Sequence, residues 1–475
     1  MNRELCYLPV HEAIAQFEAR TLSPVEVMDA VLAQSERMHP MLNATTAIFA
    51  EDALRQARES EHRYRLGSAR PLEGVPVAIK EETAVAGWPR TNGSLLLDET
   101  PVAHHPIVDK LFQAGAIPHI QTTVPEFCVI GQTWSRRWGV TRNPWNRALT
   151  CGGSSGGSAA ALAAGQTPLA TGSDMAGSIR IPAALQGLYG YKPPFGRLTA
   201  TPGEELFAFA VEGPMARNLT DLTLMQNVIA GPHPAGYVGM PAPILPTGFG
   251  DLTGWRIGYA LQTGCATLCP DTRDNLLRAC DALRGCGAIV EPVDLRWDNA
   301  EIAESLVEGI FGLFFAEYLQ DIDAPQLLQV SSYLDMLIRK YRGRPNSIMN
   351  AVQLASRLHG ELQTKLWSRG FRALLCPTVF TTQIDADLDI RATRAVMIEG
   401  LAVDSYLGWV GTPPFNLLSR YPAMAVPTGR ARNGVPTSLQ IVAQPFDDAS
   451  AFQVAFNLER TGLSSLFRSE FPALD

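Results

Sequence analysis

Apolar positions in this chain follow two alternating periods. Short aliphatic runs predict buried strands: 74–80 (Gly-Val-Pro-Val-Ala-Ile-Lys), 115–120, 255–259, 288–290, 373–377, 423–427 and 438–442. Helical periodicity separates them. Ser23-Pro24-Val25-Glu26 is a capping box with proline at the first helical position, and opens a helix to about residue 38. Further helices are predicted at 51–64, 108–114, 158–164 and 271–284, and residues 300–370 read as mainly helical. A Pro/Gly-rich connector covers 231–250. This alternation predicts an α/β fold: a large mixed, mostly parallel β-sheet core covered by helices.

Composition narrows the function classes. The chain has 475 residues, 46% apolar and 18% charged, enough to bury an extensive core. Its net charge of −8 argues against a broad nucleic-acid footprint, which needs clustered Lys and Arg. No uninterrupted apolar stretch approaches the ~18 residues of a membrane span. The densest patch, Ile310-Phe311-Gly312-Leu313-Phe314-Phe315, ends soon after at Glu317 and reads as a buried or pocket-lining helix. Met1-Asn2-Arg3-Glu4-Leu5-Cys6 does not read as a secretory signal. The eight cysteines, at 6, 128, 151, 265, 269, 280, 286 and 376, lack zinc-ligand spacing and read as free thiols of a cytoplasmic protein.

The chemistry concentrates in three places. Lys80 ends a predicted strand. Gly152-Gly153-Ser154-Ser155-Gly156-Gly157-Ser158 and Asp174-Met175-Ala176-Gly177-Ser178-Ile179-Arg180 each present a serine on a glycine-bearing loop, and the order strand, loop, helix recurs around the second. Two serines and one amine are the parts of a nucleophilic hydrolase without histidine. The first loop also matches the G-x-S-x-G elbow of α/β-hydrolases, but polar residues 143–151 replace the hydrophobic strand that fold requires. Its only downstream histidines are His233 and His359. A phosphate-binding loop would carry Lys then Ser or Thr after its last glycine, where Ser158 and Ala159 stand.

These blocks resemble those of the amidase signature family of serine hydrolases. Matching segments include Gly74 to Lys80, the glycine-serine block with Ala159-Ala160-Ala161, and Gly172 to Ala183 around Ser178. Gly190-Tyr191-Lys192-Pro193, Gly213-Pro214-Met215-Ala216-Arg217, Cys376-Pro377-Thr378 and Pro414-Phe415-Asn416-Leu417 extend the likeness over nearly the whole chain. The resemblance implies a single domain over 1–475. N-terminal helices would reach about 65, a catalytic core would occupy about 66–230 and 371–475, and a variable substrate-shaping region about 231–370.

It also implies a Ser-cisSer-Lys triad: Ser178 as nucleophile, Ser154 as bridging serine after a cis peptide bond with Gly153, and Lys80 as base. A lysine accepts a proton only when neutral, which predicts a desolvated Lys80. Backbone N–H groups of Met175, Ala176, Gly177 and Ser178 would form the oxyanion hole. The expected reaction cleaves the C–N bond of a small carboxylic amide through an acyl-enzyme, with no cofactor and no metal. The partner would be a small-molecule amide, with neither nucleic acid nor membrane, and a homodimer is compatible with the family.

Phe127, Cys128, Ile130, Trp134, Met175 and the 310–315 patch are candidate contacts for an apolar or aromatic acyl group. Arg136 and Arg137 are candidates for a carboxylate. Two departures stand beside the nucleophile: Met175, and Ala176 where the family has glycine. Either the backbone at Ala176 is ordinary or the hole is altered. Alternatives are the glutaminase component of a tRNA-dependent amidotransferase, a hydrolase of hydrazides, ureas or esters, and a silent binding protein on the same fold.

Overall fold

Local signals explain many of the elements. Ser23 Oγ accepts the Val25 N–H at 3.1 Å while Glu26 accepts the Ser23 N–H at 2.9 Å, closing the capping box of the Pro24–Leu42 helix. That helix runs beyond residue 38 and stops where Asn43 turns left-handed, its N–H bonded to His39 O. The computed structural model describes residues 3–201, 203–205, 207–264, 267–295, 297–312, 319, 321–342 and 348–474, with Ile310 and Phe311 described in backbone only.

Eleven strands form one sheet among the described residues. In chain order they are β1 (Thr45–Ile48), β2 (Pro76–Lys80), β3 (Ile117–Thr122), β4 (Leu169–Asp174), β5 (Tyr189–Lys192) and β6 (Val211–Ala216). β7 (Arg256–Tyr259), β8 (Ile289–Pro292), β9 (Phe371–Pro377), β10 (Ala423–Arg430) and β11 (Pro436–Ala443) follow. The spatial order is β1-β3-β2-β4-β6-β5-β10-β11-β9-β7-β8. Parallel pairing joins β3-β2-β4 on one flank and β9-β7-β8 on the other. Antiparallel pairs connect the flanks through the centre and add β1 at the edge. The sheet is mixed, as the alternation predicts.

Both faces are buried, so alternate residues of one strand enter different cores. On β9, Ala373 and Leu375 pack with Leu222, Leu276 and Phe452 from the Leu219–Ile229, Pro270–Gly285 and Asp448–Arg460 helices. Leu374 and Cys376 join the opposite core, which contains Ile181, Ala184, Leu358 and Leu362. The helices that follow the two serine loops, Gly156–Ala163 and Arg180–Gln186, pack against each other, the first on β2 and β4 and the second on β5, β10 and β11, and Ala78, Ala170, Ile179 and Ala183 share one core. No helix among the described residues is long and apolar enough to cross a membrane.

β1, β5 and β6 have no counterpart in the sequence reading. β5 and β6 carry glycine, and β6 also a proline, so they read locally as loops; pairing with neighbours overrides that preference. Arg217, just past β6, is buried and donates to the carbonyls of Leu162, Thr167 and Cys6, which accounts for its place in the Gly213–Arg217 block.

Lys192 at the end of β5 is fully buried, and among the described residues its Nζ donates to the Pro193 and Ser419 carbonyls alone. Burial, then the nearby Arg180 charge, pushes its pKa down to about 7 from 10.5. The native state therefore binds fewer protons than the unfolded chain between those values, and stability is lost as pH falls from 10.5 toward 7. Replacing Lys192 by Met removes this contribution. The stability gap between wild type and Lys192→Met, read from denaturant midpoints, should shift in favour of wild type as pH rises from 7 to 10. Parallel curves would refute it.

Candidate active site

Three adjoining segments bring the candidate residues together. Parallel pairing of β2 with β4 sets Lys80, the last residue of β2, beside the end of β4, and its backbone N–H donates to Thr171 Oγ1 at 2.9 Å. The glycine-serine loop precedes the Gly156–Ala163 helix, and the Ser178 loop joins β4 to the Arg180–Gln186 helix. Ser155 N–H donates to Ser178 O at 3.1 Å, and Ser155 Oγ to Ser173 O at 3.3 Å, so the two loops are stitched through backbone. The Gly153–Ser154 peptide is cis.

Lys80 is 0% exposed, and its Nζ donates to Ser154 Oγ at 2.7 Å and to Ser173 Oγ at 2.7 Å. A third neighbour is Glu82, whose Oε1 lies 2.9 Å from Nζ. Burial by itself lowers the pKa of such an amine, but the Glu82 carboxylate against it works the other way and holds it above its ordinary value; Cys128, kept neutral by its own burial, adds no charge. Glu82 shifts the opposite way: burial would raise it, and Lys80 with hydrogen bonds from Cys128 and Ser173 hold it below the usual carboxylate range. Desolvation of Lys80 matches the sequence expectation, but its resting charge does not. Glu82 gave no signal in sequence, because nothing local says which of two consecutive glutamates turns inward onto the lysine.

The Ser178 loop is organised by Asp174. Its carboxylate accepts the N–H groups of Gly177 at 2.8 Å, Ile179 at 3.3 Å and Arg180 at 3.4 Å, and Arg180 Nε and Nη2 at 2.9 Å each. Both side chains are fully buried. Burial would raise the Asp174 pKa, but Arg180 outweighs it and keeps the carboxyl ionised. Gly177 therefore spends its N–H on Asp174, which removes it from the expected oxyanion donors. Met175, Ala176 and Ser178 donate their N–H to no protein group among the described residues. Ala176 has no positive φ, so its backbone is ordinary; Gly177, at φ 117°, carries the unusual turn. Thr412 Oγ1 fixes the loop from outside by donating to Ala176 O at 2.6 Å.

Ser178 is 7% exposed, at a cleft lined by Cys128, Ile130, Met175, Ile181, Tyr406 and Leu407 among others, with about 10 Å³ of free volume. No lining side chain among the described residues is charged. Of the expected contacts, Cys128, Ile130 and Met175 lie here. Trp134 instead packs edge-on against Tyr333, ring centres 4.8 Å apart, and Phe127 packs partly buried against the same core. Arg136 donates to Leu328 O and Arg137 to Ser94 O, so neither enters the cleft. Of the 310–315 patch, Leu313 to Phe315 fall outside the described residues, as does Cys265. His233 pairs with Asp109 and His359 with Tyr421, away from both serines. Sequence reasoning missed Tyr406 and Leu407, which follow the Ala395–Ile398 and Leu401–Asp404 hairpin; Tyr406 is anchored by donating to Val129 O at 2.7 Å.

Known proteins resemble this chain over nearly its whole length. The Amidase family model matches residues 26–452. An acylamidase of Rhodococcus erythropolis is 31% identical over 469 residues, covering 96% of each chain. The glutamyl-tRNA(Gln) amidotransferase A component from Chloroflexus aggregans is 30% identical over 485 residues, covering 96% of this chain and 97% of its own. Among solved structures, a bacterial aryl acylamidase of the amidase signature family shares the fold with a TM-score of 0.87 at 24% identity, covering 98% of this chain and 99% of its own.

A Cβ added at Gly177 would overlap Thr412, and its φ disfavours any side chain. Gly177→Ala is expected to cost about 1–3 kcal/mol and most of any activity, whereas Ala176→Gly should fold with little loss. Equal denaturation midpoints for Gly177→Ala and wild type would refute this reading.

Proposed function

Because the chain belongs to the amidase signature family, we propose that it hydrolyses the C–N bond of a small carboxylic amide through an acyl-enzyme on Ser178. The observation that carries this reading is the 2.7 Å bond from buried Lys80 to Ser154 Oγ, next to the Ser178 loop. A serine hydroxyl is a poor nucleophile until its proton is removed, and a second hydroxyl relays that proton because it donates and accepts together. Ser178 attacks the carbonyl carbon as its proton passes to Ser154 and that of Ser154 passes to Lys80. The N–H groups of Met175, Ala176 and Ser178 are the donors available to the developing oxyanion. The amine leaves with the returned proton, and water resolves the ester by the same relay.

The cleft supports an apolar or aromatic acyl group. Its lining offers no charge to hold the ammonium and carboxylate of free glutamine, which favours amide hydrolysis over the glutaminase role of the amidotransferase relatives. With about 10 Å³ free, it holds little more than one water, so an acyl group must displace side chains, and flexible Met175 is suited to yielding.

A panel of aliphatic, aromatic and amino-acid amides with matching esters tests the class. Ser178→Ala should abolish turnover and fluorophosphonate labelling, Lys80→Ala should nearly abolish turnover, and Ser154→Ala should lose about 10²–10⁴-fold, the range for a positioned acid–base group. Wild-type rates in Ser178→Ala would sink the mechanism. Glutamine hydrolysis only in the presence of a partner protein would favour the amidotransferase reading.

A further inference from the structure

Lys80 poses a problem that the three-residue relay does not solve. Its Nζ has three acceptors within bonding distance, Ser154 Oγ and Ser173 Oγ at 2.7 Å and Glu82 Oε1 at 2.9 Å. Ser154 and Ser173 take two N–H bonds of the ammonium, and Glu82 Oε1, a buried oxygen with no other hydrogen-bond partner among the described residues, lies within reach of the third; an ammonium has no lone pair to receive a proton from Ser154. The nitrogen is also shut off from water, with the side chain 0% exposed. The ammonium can lose its proton only to a group touching it. Two of those groups are neutral hydroxyls, which are far weaker bases than a carboxylate. The third is Glu82, whose side chain is 22% exposed and so meets both Lys80 and solvent.

Resting on the proposed relay, we propose that Glu82 is the positioning residue that takes and returns the Lys80 proton, so that the reactive state is the neutral pair of a Lys80 amine and a Glu82 carboxylic acid. One N–H bond of Lys80 breaks and one O–H bond forms on Glu82 Oε1, leaving the pair's net charge at zero. Rotation about Cε–Nζ then turns the freed lone pair toward Ser154. Attack by Ser178 returns Lys80 to an ammonium, now balanced by the oxyanion, and expulsion of the amine sends that proton back out through Ser154. Ser173 Oγ accepts from Lys80 Nζ, and the same hydroxyl helps to keep the Glu82 carboxyl below its usual range.

The charged and titratable groups facing this pair are few. Among the described residues Asp174 acts on Lys80, the neutral Cys128 thiol adjoins both side chains, and Glu81 and Glu204 lie within electrostatic reach of Glu82. Burial holds the Cys128 thiol well above its ordinary value, so it remains protonated, while Asp174 is committed to Arg180. In wild type the pair first gains a proton at Glu82, which Lys80 holds below the ordinary carboxylate range despite burial. Activity should therefore persist from neutral pH well into the acid range. Without the carboxylate, Lys80 has to shed its own proton, and the acid limb moves to higher pH.

The test is kcat and KM against pH for wild type, Glu82→Gln and Glu82→Asp on an amide from the panel, with the pH dependence of fluorophosphonate labelling in parallel. Glu82→Gln should lose about 100-fold in kcat at pH 7, keep its KM, and move the acid limb of both assays upward; Glu82→Asp should recover part of the loss. A Glu82→Gln profile that superimposes on wild type overturns the proposal. So does a faster variant with its limb moved to lower pH, which would make Glu82 a brake on Lys80. Should Glu82→Gln fail to fold, Glu82→Asp decides, since an unshifted limb there also overturns it. A wild type that neither hydrolyses amides nor labels at Ser178 removes the relay itself, whereas a labelled wild type with unshifted variants removes only the role of Glu82.

Discussion

The carboxylate of Asp174 is the point on which the site depends. An ionised group with no exposure is costly to desolvate unless every lone pair is used. Here Arg180, the N–H groups of Gly177, Ile179 and Arg180, and Asn416 use them. Meeting that demand winds residues 175–179 around the carboxylate and leaves Ser178 at its exit. Arg180 in turn donates to Thr412 O and the side chains of Gln440 and Asn416, which ties the loop to distant parts of the chain. The fold builds its nucleophile loop as the solution to a buried-charge problem.

Lys80 shows the same logic with a different outcome. Asp174 and Arg180 neutralise each other permanently, each in a bidentate or multiply bonded setting. Lys80 and Glu82 meet through one contact, with hydroxyls and a thiol completing the shell. That single contact lacks the fork of parallel bonds that fixes Arg180 on Asp174. The sheet therefore keeps one ion pair for architecture and one beside the chemistry, both at the ends of β2 and β4, where parallel register places them side by side.

The cleft beside Ser178 has a less uniform lining. One wall of the cleft is Cys128 to Gly131, and Tyr406 and Leu407 reach it from the segment after the Leu401–Asp404 strand. Cys128 itself has φ 58°, a conformation uncommon for a residue with a side chain, held where Glu126 is locked by Ser94 and Ser331. The sheet thus holds Lys80 while connecting segments line the cleft beside Ser178, the usual division between scaffold and loops.

Much of this was legible in the sequence. The capping box at Ser23, the flanking strands and the helices after the serine loops follow from periodicity and local chemistry, and Lys80, Ser154 and Ser178 stood out because glycine-framed serines and a strand-end lysine are unusual local patterns. β5 and β6 were not legible, since their glycines and proline read as turns until neighbouring strands supply the missing hydrogen bonds. Nor were the arginines: Arg136 and Arg137 looked available for a ligand and are spent on carbonyls of Leu328 and Ser94. Ala176 was ambiguous until the backbone showed that Gly177 carries the turn. Sequence determines which residues can do chemistry, because that is a property of each side chain. Only tertiary structure decides which of them meet, because the Lys80–Glu82 contact and the bond of the Gly177 N–H to Asp174 depend on what burial brings within 3 Å.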